Sequence, residues 1–305
     1  MLLKLVNTTV WIFAAMFCTS SCSQKKERLN PTSSDVFMKG KRLAELQPKK
    51  LGEVSGLAAS FSNKGLLWTH NDSGNDAEVY LIDTETRIRQ TYVLDGVDNR
   101  DWEDIAIGPG PDPSRHYLYV ADIGDNLAIH SNKYIYRFEE PVFSEASEGA
   151  EKKITITAFD TIVFQLSDSK RDTEALLIDP KTKDLYVISK YSDPNYIYQI
   201  RYPYASGDII TANRVGSLNL RTITSAAISS TGNEILIKNY RHIYYWKNID
   251  SLSVLDVLKQ LPVEVPYEVE PQGEAIAWSA DDSGFYTLSE KDKGKKSYLY
   301  FYQRK

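Results

Sequence analysis

The sequence predicts an all-β fold that is built from one repeated sheet motif. Five segments begin with a small-residue apolar strand, at residues 55, 103, 174, 225 and 274. In each segment a second strand follows a short polar turn, and an aromatic third strand follows a polar loop. The first strands are spaced by 48, 71, 51 and 49 residues, which suits four-stranded units arranged around an axis. We therefore expect a single β-propeller with five blades, and six blades as the alternative.

The first strand of each repeat carries glycine or alanine where the blades would crowd around the axis. These residues are Gly56, Ala106, Ala175, Ala226 and Ala275. A larger side chain there would meet the neighbouring blade, so the pattern favours innermost strands.

The other elements follow from the segments between the repeats. The alternating run 154–165 predicts fourth strands, and the helical spacing of 251–260 predicts one short helix. The longest interval is expected to contain a loop insertion near 141–152. The last repeat ends after three strands, so residues 38–47 are expected to pair near 297–303 and close the ring.

The N-terminus has the plan of an export signal. Residues 1–21 combine a lysine with an apolar stretch that is too short to span a bilayer. Small residues then precede Cys22, and the segment looks like a bacterial lipoprotein signal with Cys22 as the lipidated residue; a plain secretory signal is the alternative. Residues 22–37 predict a flexible tether, and 38–305 the propeller domain. We expect an exported monomer in the bacterial cell envelope, held at the outer membrane by its lipid anchor only.

Composition excludes several classes of function. The net charge of −5 gives no basic surface for nucleic acid. The chain has two cysteines, Cys18 and Cys22, so the domain has neither a disulfide nor a thiolate metal site. The four histidines are scattered, which disfavours zinc, and the sequence has no nucleophile elbow and no phosphate-binding glycine loop.

Ionisable residues collect at one predicted mouth of the axial channel. The start of the first strand and the end of the second strand of a blade lie on the same face. Glu103, Glu174 and Glu274 occupy equivalent positions there, and Ser55 and Ser225 take that position in the other two blades. Two residues earlier stand Glu53, Asp101, Asp172, Ile223 and Gln272. The ends of the second strands add His70, Asn71, Asp72, Asp122, Asp125, Asn126, Lys190, Lys238, Arg241 and Glu290.

Carboxylates that crowd together raise each other's pKa unless a cation neutralises them. The oxygen-rich set favours Ca²⁺ or Mg²⁺, with Glu103, Glu174 and Glu274 as ligands. Salt bridges to Lys190, Lys238 or Arg241 are the alternative form of compensation. Turn and backbone-bonding roles would also explain individual Asp and Asn residues.

The motifs "DWEDIA", "ADIGDN" and "QGEAIA" resemble a group of exported bacterial β-propeller proteins and, more distantly, phytase-like and lactonase-like propellers. The likeness covers about residues 50–303. It implies a divalent cation at the axial mouth with Asp122 beside the three glutamates, and phosphate held by Lys190, Lys238 and Arg241.

Two functions follow from this resemblance and from the acidic mouth. The first is a metal-dependent hydrolase of a phosphoester or lactone, in which a metal-bound water would be the nucleophile. The second is a non-catalytic propeller at the cell surface that binds a small anionic ligand or a partner protein.

Overall fold

A computed structural model describes residues 32–33, 35–145, 152–204, 207–292 and 294–305. The predicted signal 1–21, Cys22 and most of the predicted tether 22–37 lie outside these residues. Within the described ranges the chain is all-β, as predicted, and one short helix is present, α1 (Val254–Leu258). No helix in this part of the chain is long and apolar enough to cross a membrane.

The strands follow the predicted repeats. Two N-terminal strands, β1 (Thr32–Ser33) and β2 (Lys41–Glu45), precede them. The first repeat forms β3 (Val54–Ala59), β4 (Leu66–Asn71), β5 (Glu78–Asp83) and β6 (Ile88–Leu94). The second interval forms β7 (Trp102–Pro109), β8 (His116–Asp122), β9 (Lys133–Glu139), β10 (Lys153–Ile156) and β11 (Asp160–Leu166). The third repeat forms β12 (Thr173–Ile178), β13 (Leu185–Ser189), β14 (Asn195–Ile200) and β15 (Ile210–Leu218).

The last two repeats complete the chain. The fourth forms β16 (Ile223–Ile228), β17 (Glu234–Asn239), β18 (Ile243–Lys247) and, after α1, β19 (Val263–Val265). The fifth forms β20 (Gln272–Trp278), β21 (Gly284–Glu290) and β22 (Tyr298–Gln303). In every repeat the first three strands pair in antiparallel fashion in chain order, which is the pairing of a propeller blade.

Parallel pairs at the outer edges join and extend these sheets. The run 154–165 divides into two strands with different partners: β10 lies parallel to β6, and β11 lies antiparallel to β9. β11 also lies parallel to β15, so two repeats share one eight-stranded sheet. The outer edge of β6, which would otherwise offer unpaired backbone groups, is covered by β10.

The first strands of the repeats face one another. They contact in the order β3, β7, β12, β16 and β20, and β20 contacts β3 in turn. A Cβ atom added to Gly56 would lie 2.8 Å from the backbone nitrogen of Ile105, so a side chain there would collide with β7. The predicted reason for the small residues, a close approach between innermost strands, therefore holds at this position.

The N-terminal segment pairs with the last strand. β2 lies antiparallel to β22, with Lys41 opposite Phe301 and Glu45 opposite Tyr298, as the sequence predicts. Phe37, placed in the predicted tether, is buried and stacks edge-on against Tyr245 and Phe285. The packed domain therefore includes at least this residue of the tether.

Candidate functional site

A local irregularity at the start of each first strand sets the geometry of the acidic mouth. The register between first and second strands shifts there by one residue, so that one extra residue has no partner across the ladder. Such bulges change the direction of a side chain. The extra residue is Glu103 in β7 and Glu174 in β12, and Glu274 lies in the corresponding irregular stretch of β20. In β16 it is Thr224, so Thr224 and not Ser225 takes the position equivalent to the glutamates.

Five carboxylates form two overlapping groups that share Glu103. One group contains Glu103, Asp172 and Glu174, and the other contains Asp72, Asp101 and Glu103. Within each group one oxygen per residue lies within 4.8 Å of the others. The loop after β8 approaches both groups closely at Gly124, where a Cβ atom would lie 2.2 Å from Glu103 Oε1.

The first group contains buried oxygens without hydrogen-bond partners. Among the described residues, Glu174 Oε2 and Asp172 Oδ2 accept no hydrogen bond, whereas Glu174 Oε1 pairs with Lys190. Asp172 Oδ1 accepts a bond of 2.9 Å from the backbone nitrogen of Asp125. Glu174 is 1% exposed and Asp172 is 7% exposed, so water reaches these oxygens poorly. Buried carboxylates normally have all their partners, so these atoms indicate an additional ligand.

Lys190 supplies one internal positive charge. Its Nζ forms an ion pair with Glu174 Oε1 at 2.8 Å and lies 3.9 Å from Glu274 Oε1. Glu274 also accepts a hydrogen bond of 2.8 Å from the Tyr240 hydroxyl. Burial alone would lower the pKa of Lys190, but the neighbouring Glu174 carboxylate raises it, so the ammonium stays charged.

One lysine does not neutralise the whole cluster. Burial raises the pKa of Glu103 well above its usual range, and the charge of Glu174 raises it further. Burial likewise raises the pKa of Glu174, and Lys190 opposes the shift only in part. At the rim, burial raises the pKa of Asp72 to about 7 and that of Glu290 to about 7. The neighbouring groups therefore do not fully stabilise the ionised forms of these carboxyl groups.

The remaining predicted metal ligands lie outside the two groups. Asp122 Oδ1 is 3.2 Å from the Arg100 guanidinium and accepts the Asp101 backbone N–H. Glu274 lies beside Lys190 and Tyr240. Of the four predicted ligands, the structure therefore brings Glu103 and Glu174 together, and gives Asp122 and Glu274 protein partners instead.

Several predicted ligand-binding residues hold loops in place. Asp125 accepts hydrogen bonds from the backbone of Ile129 and His130 and so stabilises its own loop. Asn71 donates to the Lys50 carbonyl. His70 is buried, and burial lowers its pKa to about 4, so it is neutral at physiological pH.

Two of the three predicted phosphate-binding cations are not available at the cluster. Lys238 is fully buried and donates a hydrogen bond of 3.2 Å to the Glu270 carboxylate. Glu270 also accepts hydrogen bonds from the hydroxyl groups of Tyr267 and Thr287. Arg241 is exposed on the turn after β17. Asn126, a further predicted ligand-binding residue, is likewise exposed, on the loop after β8. Glu270 was not identified from the sequence, because it lies in the loop before β20, ahead of the strand starts at which the repeats align.

Asp104 is a second residue that sequence reasoning did not assign. Its carboxylate is completely buried and accepts hydrogen bonds from backbone nitrogens of Leu176 at 2.9 Å and Ala226 at 3.4 Å. Ser225 Oγ donates to it at 3.1 Å, and the Ile105 nitrogen at 3.0 Å. One side chain of β7 thereby joins β12 and β16 across the axis.

Comparison with known proteins adds little about function. No protein-family model matches the chain, and no curated protein matches it. Among solved structures, a chain of a nidogen/laminin complex is similar over 77% of this chain and 72% of its own length. The sequence identity is 10% and the TM-score is 0.45, a level of likeness that assigns no function.

Proposed function

We propose that this protein is a five-bladed β-propeller, closed by β2, whose acidic mouth binds a divalent cation and, through it, a small anionic ligand. The cyclic contacts of the five first strands and the β2–β22 pair support the blade count and the closure. The cation site is supported by one observation above all: Asp172 Oδ2 and Glu174 Oε2 are buried beside Glu103 without a partner among the described residues.

The chemistry of the donors selects the kind of cation. The groups offer carboxylate oxygens only, which suits Ca²⁺ or Mg²⁺ better than a soft metal. Glu103, Asp172 and Glu174 would hold the ion, and Asp72 and Asp101 face it from the side of the mouth. A divalent charge would compensate the excess negative charge that Lys190 leaves.

A groove beside the mouth would receive the ligand. It has a volume of about 900 Å³ and contains Glu53, Asn71 and Glu290 of the acidic ring. Its lysines are Lys49, Lys50, Lys153 and Lys291. Lys153 pairs with Glu78, and Lys291 donates to the Pro48 carbonyl at 2.9 Å, whereas Lys49 and Lys50 are exposed. Lys49 and Lys50, rather than Lys238 and Arg241, are positioned to attract an anion.

Isothermal titration calorimetry should show that calcium binds the full chain. Glu174→Gln should weaken calcium binding at least tenfold, because the substitution removes the charge of a buried ligand. A hundredfold excess of cation over its dissociation constant would stabilise the fold by about 2.7 kcal/mol. Glu264→Gln, on the outer strand β19, is the matched control and should bind calcium normally. Absence of binding by Ca²⁺, Mg²⁺ and Mn²⁺ at millimolar concentrations would exclude the site.

Hydrolysis of a phosphoester or lactone is the second candidate. Asp72 and Asp101 are only partly buried, whereas Glu103 behind them is buried, so the second carboxylate group opens towards the mouth. A catalytic metal site keeps such an open position for water or substrate. Turnover of a phosphoester or lactone panel that is lost with chelator and in Glu174→Gln would favour this function; calcium binding without turnover would favour the binding function.

We further propose that the protein is exported and attached to the bacterial envelope through a lipid on Cys22, with the tether carrying the domain away from the membrane. The small residues before Cys22 support the anchor. Cys22→Ala should move the protein from the membrane fraction to the soluble fraction, as judged by cell fractionation. Unchanged fractionation of this variant would contradict lipidation at that residue.

A further inference from the structure

The end of the axis opposite the acidic mouth contains a cavity of about 260 Å³. The distal halves of the five first strands line it, including residues 57–59 of β3, 105–109 of β7 and 226–228 of β16. Its inner end is formed by Ile105, Leu176 and Ala226, whose backbone nitrogens bind Asp104. The layer around Asp104 therefore separates this cavity from the carboxylate cluster.

The innermost strands line the cavity with partly exposed apolar side chains. Ala106 and Ile107 of β7 and Ala227 and Ile228 of β16 are only half-buried, whereas the residues just before them are buried. Each of these strands is covered by its neighbours, so the exposed side-chain area faces the cavity. Small side chains at Ala59, Ala106 and Ala227 leave the space open.

Polar groups at the rim already have partners. The Ser230 nitrogen and hydroxyl donate to Asp282 at 3.0 and 2.6 Å. Trp278 Nε1 donates to the Ala227 carbonyl at 3.3 Å. Arg115 lies 3.2 Å from Asp112 and also pairs with Glu139, and the ring of His116 stacks on Phe61 at 4.5 Å. An anionic guest would lose its hydration here without gaining an unpaired positive charge, because Arg115 is already paired.

We propose that this cavity is a second binding site, which takes a small neutral apolar molecule of the size of a bicyclic aromatic ring. An apolar cavity of about 150 Å³ is known to hold one benzene ring, and this cavity is larger. Aliphatic walls and a rim whose arginine is already paired give the site no means of holding an anion. The site is independent of the cation proposed for the acidic mouth.

Indole, titrated into the full chain by calorimetry, should bind with one molecule per chain. Indole-3-acetate should bind at least tenfold more weakly, because its carboxylate would be desolvated near Asp282. Ala227→Leu and Ala106→Leu, which fill the cavity from two strands, should each weaken indole binding about tenfold or more. Ala158→Leu, in the exposed loop between β10 and β11, is the matched control and should bind indole normally.

Circular dichroism of the unaltered chain and the three variants shows which of them are folded, and only folded chains are compared. Because two different variants fill the cavity, the test still works if one of them does not fold. Equal indole affinity in a folded filling variant and in Ala158→Leu would overturn the proposal. Equal affinity for indole and indole-3-acetate, or no indole binding at millimolar concentration, would overturn it as well. Since chelator does not touch this site, loss of cation binding leaves the expected indole result unchanged.

Discussion

Asp104→Ala is expected to destabilise the fold by about 3–6 kcal/mol, because it leaves several buried donors without an acceptor at about 1–3 kcal/mol each. The backbone nitrogens of Leu176 and Ala226 and the Ser225 hydroxyl lose their partner on β7. For a domain of this size each kcal/mol lowers the melting temperature by about 2–4 °C. Differential scanning calorimetry should therefore show a decrease of about 6–24 °C.

Asp104→Asn separates the loss of hydrogen bonds from the loss of charge. Burial raises the pKa of Asp104 well above its usual range, against the effect of its hydrogen bonds. The amide keeps one acceptor oxygen, so it can retain either the two bonds to Oδ1 or the two bonds to Oδ2, and this variant should lose less stability than Asp104→Ala. Asp208→Ala, on an exposed loop, is the control and should have the same melting temperature as the unaltered chain. A melting temperature of Asp104→Ala within 2 °C of the control would show that the three strands do not depend on this carboxylate.

The fold was largely predictable because the repeat is visible without any structural information. Five small-residue strands at similar spacing predict innermost strands, and a last repeat of three strands predicts a fourth from elsewhere in the chain. The structure pairs β2 with β22 accordingly. The division of 154–165 between two sheets was not predictable, since an alternating run does not show where a strand changes its partner.

The candidate site was predictable only in part. The convergence of Glu103 and Glu174 follows from their equivalent positions in two repeats. The neighbouring residue Asp104 was missed because strand alternation assigns adjacent residues to opposite faces, whereas the irregular register at Glu103 buries both side chains near the axis. Loop conformation, which repeats do not determine, decided that Lys238 meets Glu270 while Arg241 stays exposed.

The same few residues give the two ends of the axis different chemistry. Before the Asp104 layer, the irregular stretches of β7, β12 and β20 direct glutamates towards the mouth. Beyond it, regular pairing returns, and alanine and isoleucine face the axis. One strand such as β7 can therefore contribute to an anionic site and to an apolar cavity, with Asp104 marking the change.

Lys190→Met should destabilise the protein strongly at pH 8 and only weakly at pH 5. The substitution leaves Glu174 and Glu274 buried without their shared cation, and breaking such a pair costs about 3–5 kcal/mol. Burial already raises the pKa of Glu174 and Glu103 above the ordinary value of 4.5. A carboxyl group whose pKa is higher in the folded state contributes fully to the free energy of unfolding below its pKa in the unfolded chain. That contribution is lost as the pH rises through its pKa in the folded protein. Loss of Lys190 raises the folded values further, so the variant weakens towards alkaline pH.

Urea unfolding at the two pH values measures this difference directly. Lys259→Met is the matched control, because Lys259 pairs with Asp256 on the surface of α1 with 72% of its side chain exposed. Such a pair contributes at most about 1 kcal/mol, so the control should follow the unaltered chain at both pH values. Millimolar calcium should recover part of the loss at pH 8, since the cation would replace the missing positive charge beside Glu174. An equal loss of stability at both pH values would contradict the role of Lys190 as the shared cation of Glu174 and Glu274. A pH-dependent loss that calcium does not reduce would count against the metal site but not against this role of Lys190.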